Sequence, residues 1–148
     1  MNARGGNQPF VLLVDDDVHS ARLLTRMLVA HGAPAVERLD GADAGIERLS
    51  TLLAQPHLHL PGLVIVDLKS SSGASTGFIA ALRGIDNANQ LVIAAMAPSL
   101  ERGVRDELLD AGADAVFERH SEVNAYRREA ASIVSFWVRK QRLEGVGT

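Results

Sequence analysis

The sequence predicts an α/β fold, a doubly wound parallel sheet of five strands in a single domain, and three observations lead there. Short apolar runs alternate with longer segments of helical period along the whole chain. Three of those runs, FVLLV, LVIV and LVIAA, are almost uninterrupted apolar, as strands covered by helices on both faces must be. Strand and helix follow each other strictly in turn, and such βα units join through right-handed crossovers into one parallel sheet.

The strands are expected at Phe10 to Val14, Ala35 to Leu39, Leu63 to Val66, Leu91 to Ala97 and Ala115 to Glu118. The first helix, Val18 to His31, carries Ala21, Leu24 and Leu28 on one face and stops at Gly32, a natural residue just past a helix end. The second runs from Asp40 through Ile46, Leu49 and Leu53 and ends before Pro56. The third is short, near Gly77 to Arg83, after a small-residue loop, Ser70 to Gly77. The fourth starts after Ser99, a good N-cap, and closes at Gly112. The fifth extends from about Glu122 past Trp137, with Val123, Tyr126, Ala130, Ile133, Val134 and Trp137 on its packing stripe. Residues 1–8 and 141–148 are expected to be tails around a domain at 9–140.

Composition narrows the function. A chain of 148 residues suits one domain, and 47% hydrophobic residues are enough for a core without covalent staples. It has no cysteine, which excludes disulfide and thiol chemistry and suits a reducing compartment. Net charge is −3 and no long basic run occurs, which argues against nucleic-acid binding. The polar start, Met1 to Gln8, is unlike a signal peptide, and no apolar run approaches the ~20 residues that span a bilayer. A cytoplasmic protein is expected, with neither membrane nor nucleic acid among its partners.

In an open parallel sheet, ligands sit at the carboxyl ends of the strands. There the first strand ends in Asp15, Asp16 and Asp17, and the third in Asp67. Separately, the triplet could merely cap a helix and Asp67 could be a turn residue. At the ends of two strands of one sheet, they point instead to a shared site. Crowded carboxylates repel unless a cation relieves them, and Mg²⁺ prefers such oxygens and often accompanies phosphate. A carboxylate in that setting is also a nucleophile toward phosphorus.

These residues resemble a known family. VLLVDDDVHSARLL is similar to the opening of response-regulator receiver domains, and LVIVDL to their third strand with its phosphoacceptor aspartate. DGADAGIERL and LLDAGADAVFERH resemble later stretches of the same family, so the likeness runs from Phe10 to about Trp137. It implies a flavodoxin-like (βα)5 fold in which Asp67 accepts a phosphoryl group and Asp15 and Asp16 form the acidic pair. Asp16, Asp67 and the backbone carbonyl of Lys69 would hold Mg²⁺, with Asp15 acting through a metal-bound water. The phosphoryl donor would be a histidine kinase or a histidine phosphotransfer protein. Helix four, strand five and helix five would form a docking face, including Phe117 and Phe136, and a route to a homodimer.

Several positions depart from that pattern. Met96 stands where receivers carry the Thr or Ser that grips the phosphoryl oxygen; it cannot donate that bond, while small Ala97 keeps access open. Val116 is the second switch position. Arg119-His120 replaces the usual Lys-Pro, keeping charge but changing shape. The loop after Asp67 is long and lacks proline, and Lys69 within it is expected to be solvated, contributing only its carbonyl. The competing arrangement swings its ammonium over the acidic cluster. With no output domain expected to follow, the chain would signal by contacting another protein. The leading expectation is a stand-alone receiver, not an enzyme beyond Mg²⁺-dependent gain and loss of its own phosphoryl group. The alternative is a degenerate receiver that binds a partner without phosphorylation.

Rival motifs are weaker. Gly73 to Gly77 matches the G-x-S-x-G nucleophile pattern, which would make Ser75 a hydrolase nucleophile with His120 and Asp114, but that serine should follow its strand directly. A flavin-phosphate loop would be expected after the first strand, where three aspartates repel phosphate. His57 and His59 have a metal-compatible spacing but sit among Leu58, Leu60 and Pro61, which favours a packed loop.

Overall fold

The computed structural model describes residues 8–55 and 57–146, with side chains described as far as 141. Residues 1–7 of the expected N-terminal tail lie outside this range, as do 147–148. In order the elements are β1 (Phe10–Asp15), α1 (Val18–Ala30), β2 (Ala35–Leu39), α2 (Ala42–Ala54), β3 (Leu63–Asp67), α3 (Ala74–Arg83), β4 (Ile93–Ala97), α4 (Arg102–Ala111), β5 (Ala115–Glu118) and α5 (Val123–Val146). All strands run parallel in one sheet ordered β2-β1-β3-β4-β5.

β1 and β3 lie at the centre and are buried at every position, which is why their sequences do not alternate. On one face Leu12, Val14, Val64 and Val66 pack with Leu49, Phe78, Ile79 and Leu108 from α2, α3 and α4. On the other, Val11, Leu13, Leu63 and Ile65 meet Leu24 and Leu28 of α1 and Ala130 and Ile133 of α5. Two helices therefore cover one face and three the other, as a doubly wound sheet requires.

The helix ends follow local chemistry. Asp17 caps α1, its Oδ1 accepting from the backbone N–H of His19 (2.9 Å) and Ser20 (3.2 Å). Gly32, at φ +96°, turns the chain out of α1, and Gly112, at φ +126°, does the same after α4. Arg83 ties the far end of the sheet together: it donates to the carbonyls of Gly112, Ala88 and Leu91 and to Asp114 Oδ2, which also accepts from Ile93 N–H at 2.8 Å.

Five expectations need correction. β4 begins at Ile93 rather than Leu91, because a 3-10 turn at Ala88–Gln90 occupies the approach. α3 begins at Ala74 rather than near Gly77, so the loop after β3 is shorter than expected; the Ser75 hydroxyl accepts from Leu68 N–H (3.1 Å) and anchors the first turn of α3 to the strand end. α4 starts at Arg102 with Glu101 in the cap position, and Ser99 accepts only a long bond, 3.4 Å, from Glu101 N–H. On α5 Tyr126, Ala130, Ile133 and Val134 are buried as expected, but Val123 is exposed. α5 also continues through 141–146, where a tail was expected. No described helix is long and apolar enough to cross a membrane.

Candidate functional site

The register of the central strands brings the acids together. Asp15 and Asp67 are paired residues on neighbouring strands, both at the carboxyl end and both fully buried. Asp16 follows at the strand exit, and Arg119 leaves the end of β5, its N–H donating to Ala97 carbonyl at 2.8 Å.

Every carboxylate here faces nitrogen or hydroxyl donors. Asp15 Oδ1 accepts from Lys69 Nζ at 2.7 Å and from Asp17 N–H at 2.9 Å, and its Oδ2 accepts from the Ser20 hydroxyl at 3.2 Å. Asp16 accepts from the backbone N–H of Lys69 (3.0 and 3.1 Å) and of Ser70 (2.9 Å). Asp67 Oδ1 accepts from Arg119 Nε at 2.6 Å. Asp67 Oδ2 lies 3.1 Å from the Lys69 ammonium, an ion-pair distance, yet off the hydrogen-bonding direction, so it has a counter-charge without an aligned donor. The Lys69 ammonium also donates to Asp67 carbonyl at 3.2 Å. Burial pushes the Asp67 carboxyl above its ordinary range; Lys69 and Arg119 oppose that shift and the Asp15 charge adds to it.

Of the expected site residues, Asp15, Asp16, Asp67 and Arg119 meet at one strand edge. Asp17 belongs to the helix cap instead. Lys69 takes the arrangement that sequence reasoning ranked second, with its ammonium turned into the cluster. Met96 is buried on the α1 and α5 side of the sheet and Ala97 on the opposite side; both line a cavity of about 410 Å³ beside the acids, shared with Thr76, Glu107 and Arg119. Val116 is partly buried against the α2, α3 and α4 side. Phe117 is a core residue, and Phe136 is half-buried with its ring edge-on to it, 5.9 Å between centroids. Phe136 was expected on a docking face; it is only partly exposed, with Lys140 Nζ 5.7 Å from the ring centroid.

Three contributors were not foreseen. Ser20 and Arg38 secure Asp15, the latter donating to its backbone carbonyl at 2.9 and 3.1 Å. Tyr126, expected only on a packing stripe, buries its hydroxyl with no aligned partner among the described residues. Burial first, then the Asp67 charge, pushes its phenol up to about 12. Ser20 lies one helical turn past the strand end it serves and reads in sequence as an ordinary helix residue, while Arg38 reaches Asp15 from the neighbouring strand, which no local pattern marks.

No protein-family profile matches the chain, and no curated protein matches it. Solved structures do. The Mn²⁺-bound form of response regulator Rcp1 superimposes with a TM-score of 0.72 over 87% of this chain and 94% of its own, at 15% identity. A response regulator from Hahella chejuensis gives 0.71 over the same shares of each chain, at 18% identity. A probable two-component system response regulator/GGDEF domain protein is 26% identical with a TM-score of 0.67. It is covered over 90% of this chain, which spans only 50% of that longer protein. The chain folds as a response-regulator receiver domain.

The acids do not fit a divalent ion as they are arranged. Among the described residues no group of three or more His, Cys, Asp or Glu side chains is set to hold a metal. Asp16, which should offer oxygen to Mg²⁺, spends both oxygens on backbone N–H groups, and an ammonium already stands between Asp15 and Asp67. The hydrolase constellation is not assembled either. Ser75 is buried against Leu68, Asp114 serves Arg83 and Ile93, and His120 pairs with Glu129 at 3.0 Å.

Proposed function

We propose that this receiver acts as a signalling module that contacts another protein and does so without a phosphoryl switch. One observation carries the reading: the Asp67 carboxylate is fully buried beneath two cations, Arg119 at 2.6 Å and Lys69 at 3.1 Å. A nucleophile must present a lone pair along the line of attack, and here one oxygen is engaged by Arg119 and the other is held against an ammonium. Met96, apolar and buried, stands where a hydroxyl would have to grip a phosphoryl oxygen. On this reading Asp67 is an internal counter-ion that fixes the ends of β3 and β5.

A second reading keeps Asp67 as the phosphoacceptor, with Mg²⁺ bound and a histidine kinase or histidine phosphotransfer protein as donor. The cavity of about 410 Å³ beside the acids, with Ala97 and Arg119 on its wall, favours it, because a phosphoryl group would have room there. It requires Lys69 to withdraw.

Intact mass after incubation with Mg²⁺ and acetyl phosphate decides between them. The expected result is no phosphoryl adduct. An adduct that disappears in Asp67→Asn would establish the second reading in its place.

A further inference from the structure

We infer that Lys69 is a tethered substitute for a divalent cation: its ammonium stands between Asp15 and Asp67 and keeps Mg²⁺ out of this receiver. The inference rests on the reading above only in taking the acidic site as closed.

Two buried carboxylates on adjacent strand ends cannot both stay ionised without a positive charge close by. Lys69 supplies it through three contacts, 2.7 Å to Asp15 Oδ1, 3.1 Å to Asp67 Oδ2 and 3.2 Å to Asp67 carbonyl. An ammonium has three donors and no acceptor, and it acts largely as a compact point charge. The off-angle contact with Asp67 Oδ2 fits that description, since charge rather than a directed bond holds the pair.

How the ammonium arrives there is also visible. Lys69 follows Asp67 by two residues, so its stem need only fold back along the strand end. Asp16 fixes the backbone that makes this possible, accepting from the N–H of Lys69 and of Ser70. An acid that would otherwise coordinate a metal thus pins the loop that carries the metal's replacement. The Lys69 side chain keeps 23% exposure while those of Asp15 and Asp67 keep none, so Lys69 covers the cluster on its solvent side.

The test is Mg²⁺ and Mn²⁺ binding to the full chain by calorimetry, for the unmutated protein and for Lys69→Met, which keeps an apolar stem of similar length and removes the charge. Lys69→Met should bind at least about tenfold more tightly, the scale of one strong charge competition removed. Asp15→Asn in that background should abolish the gain. Mg²⁺ should also raise the thermal midpoint of Lys69→Met and leave that of the unmutated chain unchanged, since only the variant has an open site. Equal affinities in the two proteins would overturn the inference. Should Lys69→Met not fold, Mn²⁺ broadening of amide signals in the unmutated chain decides: selective broadening at Asp15 and Asp67 at micromolar Mn²⁺ would overturn it, and its absence is expected. A phosphoryl adduct on the unmutated chain would strike the reading of function and, because it needs Lys69 to withdraw and Mg²⁺ to enter, this inference with it. Equal affinities with no adduct would strike the inference alone.

Discussion

Asp67 pays an electrostatic cost that its two cations only partly offset. Its carboxyl is held above the ordinary value of 3.8, chiefly by burial, so between that value and the raised one the folded chain binds more protons than the unfolded chain. Stability contributed by the neutral form is therefore present below about pH 4 and is lost as pH rises through the raised value. Asp67→Asn, which mimics the neutral form, should remove this slope. Its thermal midpoint relative to the unmutated chain should climb between pH 4 and 7, measured by circular dichroism; a gap that narrows over that range would contradict the assignment. Lys69 was the hardest residue to read beforehand. Lysine on a loop is ordinarily solvated, and only the register of Asp15 with Asp67 supplies the target that turns it inward.

At the level of elements, legibility tracked how much of each boundary is local. β1, β2, β3 and β5 were placed within a residue because apolar runs end where acids and turn residues begin. The ends of α1 and α4 were readable from Gly32 and Gly112, whose positive φ only glycine adopts freely. The start of α3 was not, because Ser, Thr and Gly argue for a loop while the bond fixing the first turn, Ser75 with Leu68, is tertiary. Close packing of α2 gives a sharper test. A Cβ on Gly45 would lie 2.9 Å from the Phe78 ring and 3.3 Å from Val14 Cγ1, both core side chains. Overpacking costs about 1–3 kcal/mol, whereas Ala gains about 1 kcal/mol over Gly in a helix. Gly45→Ala should thus lose up to about 2 kcal/mol in chemical denaturation, and a stabilised variant would show that α2 has room to shift.

The whole molecule has the receiver fold, with its sheet, helices and acidic edge in place, while the positions that the resemblance would have couple phosphate to shape are altered. The acids were legible from strand ends alone; their internal neutralisation was not, because it depends on side-chain direction. A ligand moves a two-state equilibrium only by its differential interaction with the two states. With Met96 buried in the core and Phe117 packed against Phe136, no hydroxyl at the end of β4 can transmit a phosphoryl contact to the β5 and α5 surface. A lost charge-assisted hydrogen bond is worth about 1.5–3 kcal/mol, comparable to a whole allosteric coupling energy. The most direct test is amide NMR of the unmutated chain on adding Mg²⁺ with beryllofluoride, a mimic of the aspartyl phosphoryl group. No shifts around Asp15, Asp67 and Arg119 are the predicted result; shifts that appear there and spread across Val116, Phe117 and Phe136 would contradict it.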